Sequence, residues 1–176
     1  MAFPGSKRRR RVALAAAAWS LLLAACEAPP PPPDCPRANL VEDADRVVRF
    51  AGSGRDITDQ LFEARISDIT GECVFTEGKV AIDMKLRIEA ARGQALEGGS
   101  APLGYFVAIV GPDGSVRARK EFETEVPFQG RTRSAIIEEL EPEIPLAEGE
   151  RADYYTVYVG LLLSHDELDY NRRQRR

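Results

Sequence analysis

Between Val80 and Ala90 the side chains alternate strictly. Val80, Ile82, Met84, Leu86, Ile88 and Ala90 share one parity, and Ala81, Asp83, Lys85, Arg87 and Glu89 share the other. A strand points successive side chains to opposite faces, so this pattern describes a sheet with one face on a core and one in water. It does not fit a helix, whose apolar stripe returns every three to four residues. The run from Val116 to Phe128 repeats the pattern, with Val116, Ala118, Phe122, Thr124, Val126 and Phe128 opposed to Arg117, Arg119, Glu121, Glu123 and Glu125. Lys120 is the misfit on its apolar parity. Tyr105 to Val110 is apolar on both parities, as expected of a strand covered on both sides. Gly111, Pro112, Asp113, Gly114 and Ser115 supply turn chemistry between these two runs and predict a hairpin.

Asp153 to Leu163 gives a further strand, with Tyr155, Val157, Val159, Leu161 and Leu163 on one side. Weaker strand patterns lie at Arg46 to Phe50, Phe62 to Ile69 and Arg131 to Leu140. Ile57, Leu61 and Ala64 also have helical spacing, so Ile57 to Ile66 carries a short helix as an alternative, with strand preferred for its second half. About seven strands, frequent Gly and Pro and no long helical period predict an all-β fold, an antiparallel β-sandwich. Gly149 followed by Tyr155, Val157 and Val159 resembles the tyrosine corner of immunoglobulin-like and fibronectin-type sandwiches, which implies that connectivity. Ser164 and Glu167 have capping-box spacing, predicting a short C-terminal helix. Arg172, Arg173, Arg175 and Arg176 then form a basic tip, read either as a solvated, disordered tail or as an electrostatic foot for an anionic surface.

The N-terminus is organised differently. Lys7 to Arg11 form a basic head, Val12 to Ala25 an apolar stretch too short to span a bilayer, and Leu23, Ala24 and Ala25 lead into Cys26. This order is that of an export signal, and Leu-Ala-Ala-Cys resembles the lipobox of bacterial lipoproteins. The resemblance implies cleavage before Cys26, acylation of that cysteine and anchorage in the cell envelope. With Glu27 behind it, the enteric sorting rule directs the protein to the outer membrane, facing the periplasm. An ordinary signal peptide cleaved elsewhere is the alternative, and the consecutive arginines Arg8 to Arg11 also admit twin-arginine export. Ala28 to Pro33 is nearly all proline, an extended spacer. The expected organisation is a signal peptide at 1–25, lipidated cysteine and spacer at 26–34, sandwich at 35–164, and helix or basic tail at 165–176.

Removing residues 1–25 takes five of the 24 basic residues and none of the 28 acidic ones, leaving a net charge of −9. Nucleic-acid binding needs a basic face to displace counterions and is excluded on this composition. Lipidation of Cys26, implied by the lipobox, leaves Cys35 and Cys73 of the three cysteines as a disulfide pair suited to an oxidising compartment. Two free buried thiols are the alternative. Zinc is not expected with two cysteines and the lone His165.

Catalytic chemistry has little to work with. Ser164, His165, Asp166, Glu167 and Asp169 are adjacent in sequence but adjacency does not create convergence. Glu138, Glu139, Glu141 and Glu143 read as a solvated acidic rim before they read as a glycosidase pair. Gly52, Ser53, Gly54, Arg55 and Asp56 lack the lysine and hydroxyl of a phosphate-binding loop. Tyr154 and Tyr158, with Gly160, are expected to pack on a second sheet rather than line a ligand surface. The expectation is therefore a non-enzymatic, membrane-anchored binding or assembly module with an envelope protein, glycan or lipid partner, and without cofactor or metal. The alternatives are an envelope hydrolase using carboxylates or the His165 segment, and a carrier of an apolar ligand.

Overall fold

The computed structural model describes residues 33–175. The segment 1–25, Cys26, the spacer up to residue 32 and Arg176 lie outside the described residues.

Nine strands follow in order: β1 Arg37–Leu40, β2 Arg46–Phe50, β3 Gln60–Thr76, β4 Lys79–Arg92, β5 Ser100–Val110, β6 Val116–Pro127, β7 Arg133–Leu140, β8 Glu143–Pro145 and β9 Thr156–Leu161. One helical turn, Ile57–Asp59, stands where a short helix was the alternative, a second, Ala152–Tyr154, takes the start of the run expected as strand from Asp153, and the helix α1, His165–Gln174, follows the last strand. One sheet runs β1-β9-β5-β6 and the other β2-β3-β4-β7, with β8 paired to the far end of β4. The chain is thus an all-β sandwich. All pairings are antiparallel except one: β1 runs parallel to β9 along the edge of its sheet. The sheets interlock in the immunoglobulin manner at their centre, since β4 lies beside β7 while β5 lies beside β9.

The alternating runs point as their patterns dictate. Val80, Ile82, Met84, Leu86 and Ile88 of β4 meet Val157, Val159 and Leu161 of β9, with Tyr105, Val107 and Ile109 of β5, in one buried cluster. β5 is a central strand, flanked by β9 and β6, and its outward residue Ala108 is buried as well. Phe106, also on that outer face, sits against Gly160, where a Cβ would come within 2.9 Å of the ring. The five-residue turn is present: the Gly111 N–H donates to Ser115 O at 2.9 Å, and Gly114 takes φ +78°.

Differences from the sequence reading have local causes. β3 is nine residues longer than its legible part, because a bulge between Ile66 and Asp68 shifts the register. Before it Phe62, Ala64 and Ile66 face inward. After it Ile69, Cys73 and Phe75 do, so the alternation changes parity in mid-strand. β1 and β8 are too short, at four and three residues, to show a period. Tyr155 is buried, but its hydroxyl donates to Glu150 Oε1 at 2.7 Å and not to upstream backbone, which separates it from the tyrosine corner. Tyr154 is 55 % exposed and Tyr158 lies on the outer face, so neither packs on a second sheet.

Candidate functional site

The two sheets are closed along part of their β6–β7 side and open along the rest. Glu138 of β7 points between the sheets, opposite Leu86 in register, and accepts from Thr124 Oγ1 at 2.6 Å and from the Tyr105 hydroxyl at 3.2 Å. Burial and this carboxylate raise the Tyr105 hydroxyl above its ordinary value of 10, so the proton stays on the oxygen and the bridge remains a donor. Phe122 stacks on Tyr105 at 5.0 Å between ring centroids and completes the closed portion. Beyond Phe122, toward the β5–β6 turn, β6 loses its partner sheet. Every residue from Val116 to Glu121 is exposed.

The opening is a cleft of about 490 Å³. Val107 and Ile109 of β5, Phe122 of β6 and Leu140 of β7 form its apolar part, with Lys120 and Glu141 among its polar lining residues. Lys120, the misfit of the alternation, holds its Nζ 5.0 Å from the Phe122 ring centroid. Two of the neighbouring glutamates are already matched: Glu139 pairs with Lys85 at 2.9 Å and Glu143 with Lys79 at 2.5 Å. An apolar floor rimmed by charged side chains, Arg119, Lys120, Glu139, Glu141 and Glu143, can seat an amphipathic ligand or partner. A larger depression, about 670 Å³, lies on the outer face of the other sheet among Arg65, Arg87, Glu89 and Arg133. It is a charged surface, where hydrogen bonds from Arg87 and Arg65 pull Glu89 down to about 2.

The residues considered for chemistry are dispersed. His165 is 84 % exposed at the start of α1, with Nε2 3.4 Å from Asp169 Oδ2. The Ser164 hydroxyl accepts from the Glu167 N–H at 3.3 Å, and the Glu167 carboxylate accepts from the Ser164 N–H at 2.7 Å, which is the capping box its spacing predicts. Glu167 also takes Arg49 Nε at 3.1 Å. Burial works to raise the Glu167 pKa, but these donors outweigh it and hold the carboxyl below its ordinary value. Glu138 is no solvated rim residue: it faces inward while Glu139 faces out, so adjacency in sequence puts the two on opposite sides of the sheet. The Gly52 to Asp56 loop lies near the N-terminus of α1, with Arg55 over the Phe50 ring at 5.3 Å. Among the described residues, no three His, Cys, Asp or Glu side chains converge to hold a metal ion.

Two arginines of the basic tip, Arg172 and Arg175, are engaged within the chain. Arg175 contacts Glu42, Asp43 and Asp45 at 2.7, 3.0 and 3.2 Å, and Arg172 reaches Asp43 at 3.8 Å. Those acids sit in the connection from β1 to β2, so the tip is a helix end docked on an acidic corner and not a free tail. Cys35 and Cys73 form a disulfide with Cα atoms 6.0 Å apart, tying the entry to β1 in one sheet to β3 in the other. Among the described residues, no helix is long and apolar enough to cross a membrane. The geometry defines a disulfide-linked β-sandwich with an apolar cleft along one open side. Comparison with protein-family models finds no match, and comparison with curated proteins finds none either.

Proposed function

We propose that the mature chain begins at an acylated Cys26 and works at the bacterial envelope as a tethered, non-enzymatic module that binds a partner through its open β6–β7 side. The observation that carries this reading is the order of basic head, apolar stretch and Leu-Ala-Ala-Cys at residues 7–26, directly followed by prolines. Two structural features support it. The described domain begins at Pro33, directly after the cysteine and proline run that this reading assigns as anchor and spacer. The Cys35–Cys73 disulfide belongs to an oxidising compartment such as the periplasm. One acyl chain binds a bilayer only marginally and two hold it firmly, so a lipobox cysteine with several chains makes a stable tether. The outer membrane, with the domain on its periplasmic side, is the assignment Glu27 favours.

The partner surface follows from edge physics. β6 ends its sheet, so among the described residues its outer N–H and C=O groups have no strand partner, and the half-buried Phe122 and Leu140 line the cleft beside it. The test is fractionation. Wild-type protein is expected in the membrane fraction, and Cys26→Ser in the soluble fraction with an unchanged fold by circular dichroism. Equal sedimentation of both forms overturns the tether.

The cleft itself favours a second reading, carriage of an apolar ligand between the sheets. Its volume of about 490 Å³ lies within the range of small-molecule sites. Lipid extracted from a purified soluble form lacking Cys26 supports carriage, and a preparation free of lipid excludes it.

A further inference from the structure

The outer face of the β2-β3-β4-β7 sheet carries cations that the ladder does not require. Arg46 stands opposite Arg65, Arg65 opposite Glu89 and Glu89 opposite Ala135, and in the neighbouring row Glu63, Ala91 and Arg133 stand side by side. Like charges directly opposite each other destabilise a sheet, so Arg46 beside Arg65 is an arrangement that folding alone does not favour. We infer that the depression of about 670 Å³ on this face binds an anionic saccharide, with its carboxylate or phosphate group on the guanidiniums and Glu63 accepting from its hydroxyls. The site shares no residue with the cleft along the β6–β7 side and does not rest on the reading of that cleft.

Four guanidiniums line the depression, those of Arg65, Arg87, Arg131 and Arg133, against the two carboxylates of Glu63 and Glu89. The excess runs against a chain whose acids outnumber its bases, 28 to 24. Arg65 and Arg87 are partly spent within the chain. Arg87 donates through Nε to Glu89 Oε1 at 2.9 Å, and Arg65 through Nε and Nη2 to Glu89 Oε2 at 3.3 and 3.0 Å. A guanidinium has five N–H donors, so the carboxylate between these two fixes their positions without using them up, and the three groups together keep a positive charge. Arg131 and Arg133 are exposed and form no ion pair or side-chain hydrogen bond among the described residues. An anionic group therefore meets two oriented forks and two free ones.

Glu63 decides the class of anion. It is exposed and has no cation partner among the described residues. A bare anion is repelled by it, whereas a hydroxyl donates to it. The floor between these charged groups is alanine, because Ala91 and Ala135 are the outward residues of β4 and β7 there. Their methyl groups leave a space that longer side chains would fill, of a volume that suits a small ligand.

The test is calorimetric titration of the full-length chain in neutral detergent. The probes are trigalacturonate and glucose-6-phosphate as anionic saccharides, maltotriose as a neutral one and triaspartate as an anion without hydroxyls. At least one anionic saccharide is expected to bind, about tenfold or more tightly than maltotriose and triaspartate, and added salt is expected to weaken it. Arg131→Ala combined with Arg133→Ala is expected to lower that affinity about tenfold while leaving Tm unchanged. Glu63→Ala separates the classes by sign, since it is expected to weaken the saccharide and strengthen triaspartate. Triaspartate binding as tightly as the saccharides, or a Glu63→Ala chain that holds the saccharide more tightly, marks a plain anion surface and overturns the proposal. Equal binding of maltotriose, indifference to the arginine substitutions, or no binding of either anionic saccharide overturns it as well.

Discussion

Single side chains settle what alternation leaves open, and Asn171 is the clearest. It is 1 % exposed, on a helix whose sequence is mostly charged, and its Nδ2 donates to Asp43 O and Arg46 O at 2.7 Å each. Asn171→Ala removes both donors and leaves two carbonyls unmatched at a buried seam. Thermal unfolding is expected to show a loss of about 2 kcal/mol, or roughly 6 °C in Tm. An unchanged Tm contradicts the role assigned to this amide. Nothing in the sequence singled it out, because a polar residue in a polar helix carries no signal of burial. Lys120 was visible as a misfit, and its place on an edge strand explains it, since an inward-pointing cation discourages indiscriminate strand pairing. Arg49 does a related job on β2, reaching Pro102 O of the opposite sheet at 3.0 Å as well as Glu167. Glu138 looked like part of an acidic rim because sequence shows charge and parity but not which hydroxyls wait across the core.

Elements were legible where period and length agreed. β4 kept one parity throughout and β6 kept it from Ala118 onward, a bulge at Arg117 shifting the pairing at its start, so both could be read nearly to their ends. In β3 the bulge at Ser67 inverted the parity, so the strand pattern was legible only over Phe62 to Ile69 and the second half, with Cys73 in it, carried no continuous alternation. β1 and β8 exist because a neighbouring edge accepts them, a tertiary reason that local sequence does not carry. The helix α1 was foreseen from its capping box, but its docking was not, because that depends on the acidic β1–β2 connection coming beneath it. Docking has a pH signature. The Glu167 carboxyl is held below its ordinary 4.5, so its stabilising effect is complete above that value and is lost as pH falls through the lower folded value. Glu167→Gln keeps the cap acceptor and removes the ion pair with Arg49. The variant is expected to be less stable by up to about 1 kcal/mol at pH 7, with the gap narrowing as pH falls below 4.5. A gap that persists undiminished at pH 3 contradicts this account.

At the scale of the whole molecule, the sandwich followed from composition and pattern, whereas its interlocked connectivity is a tertiary feature that the supposed tyrosine corner did not carry. The cleft did not follow, because an opening depends on where two sheets stop overlapping. The disulfide spans a sequence separation of 38 residues and links the sheets at the N-terminal edge. Closing a loop of that length restricts the unfolded chain by about 4 kcal/mol in the entropy picture. Reduction without denaturant is expected to lower Tm by roughly 10 °C while leaving one cooperative transition. An unaltered Tm on verified reduction contradicts a structural role for the bond. The pairing leaves Cys26 as the one cysteine outside the crosslink, and the proposed envelope placement rests on its acylation.

The intact mass of the protein extracted from membranes tests that premise in one measurement. The account predicts a chain starting at Cys26, heavier than its polypeptide by attached fatty acyl chains, that gains two hydrogens on reduction. A mass matching an unacylated chain, or one that still contains residues 1–25, contradicts it.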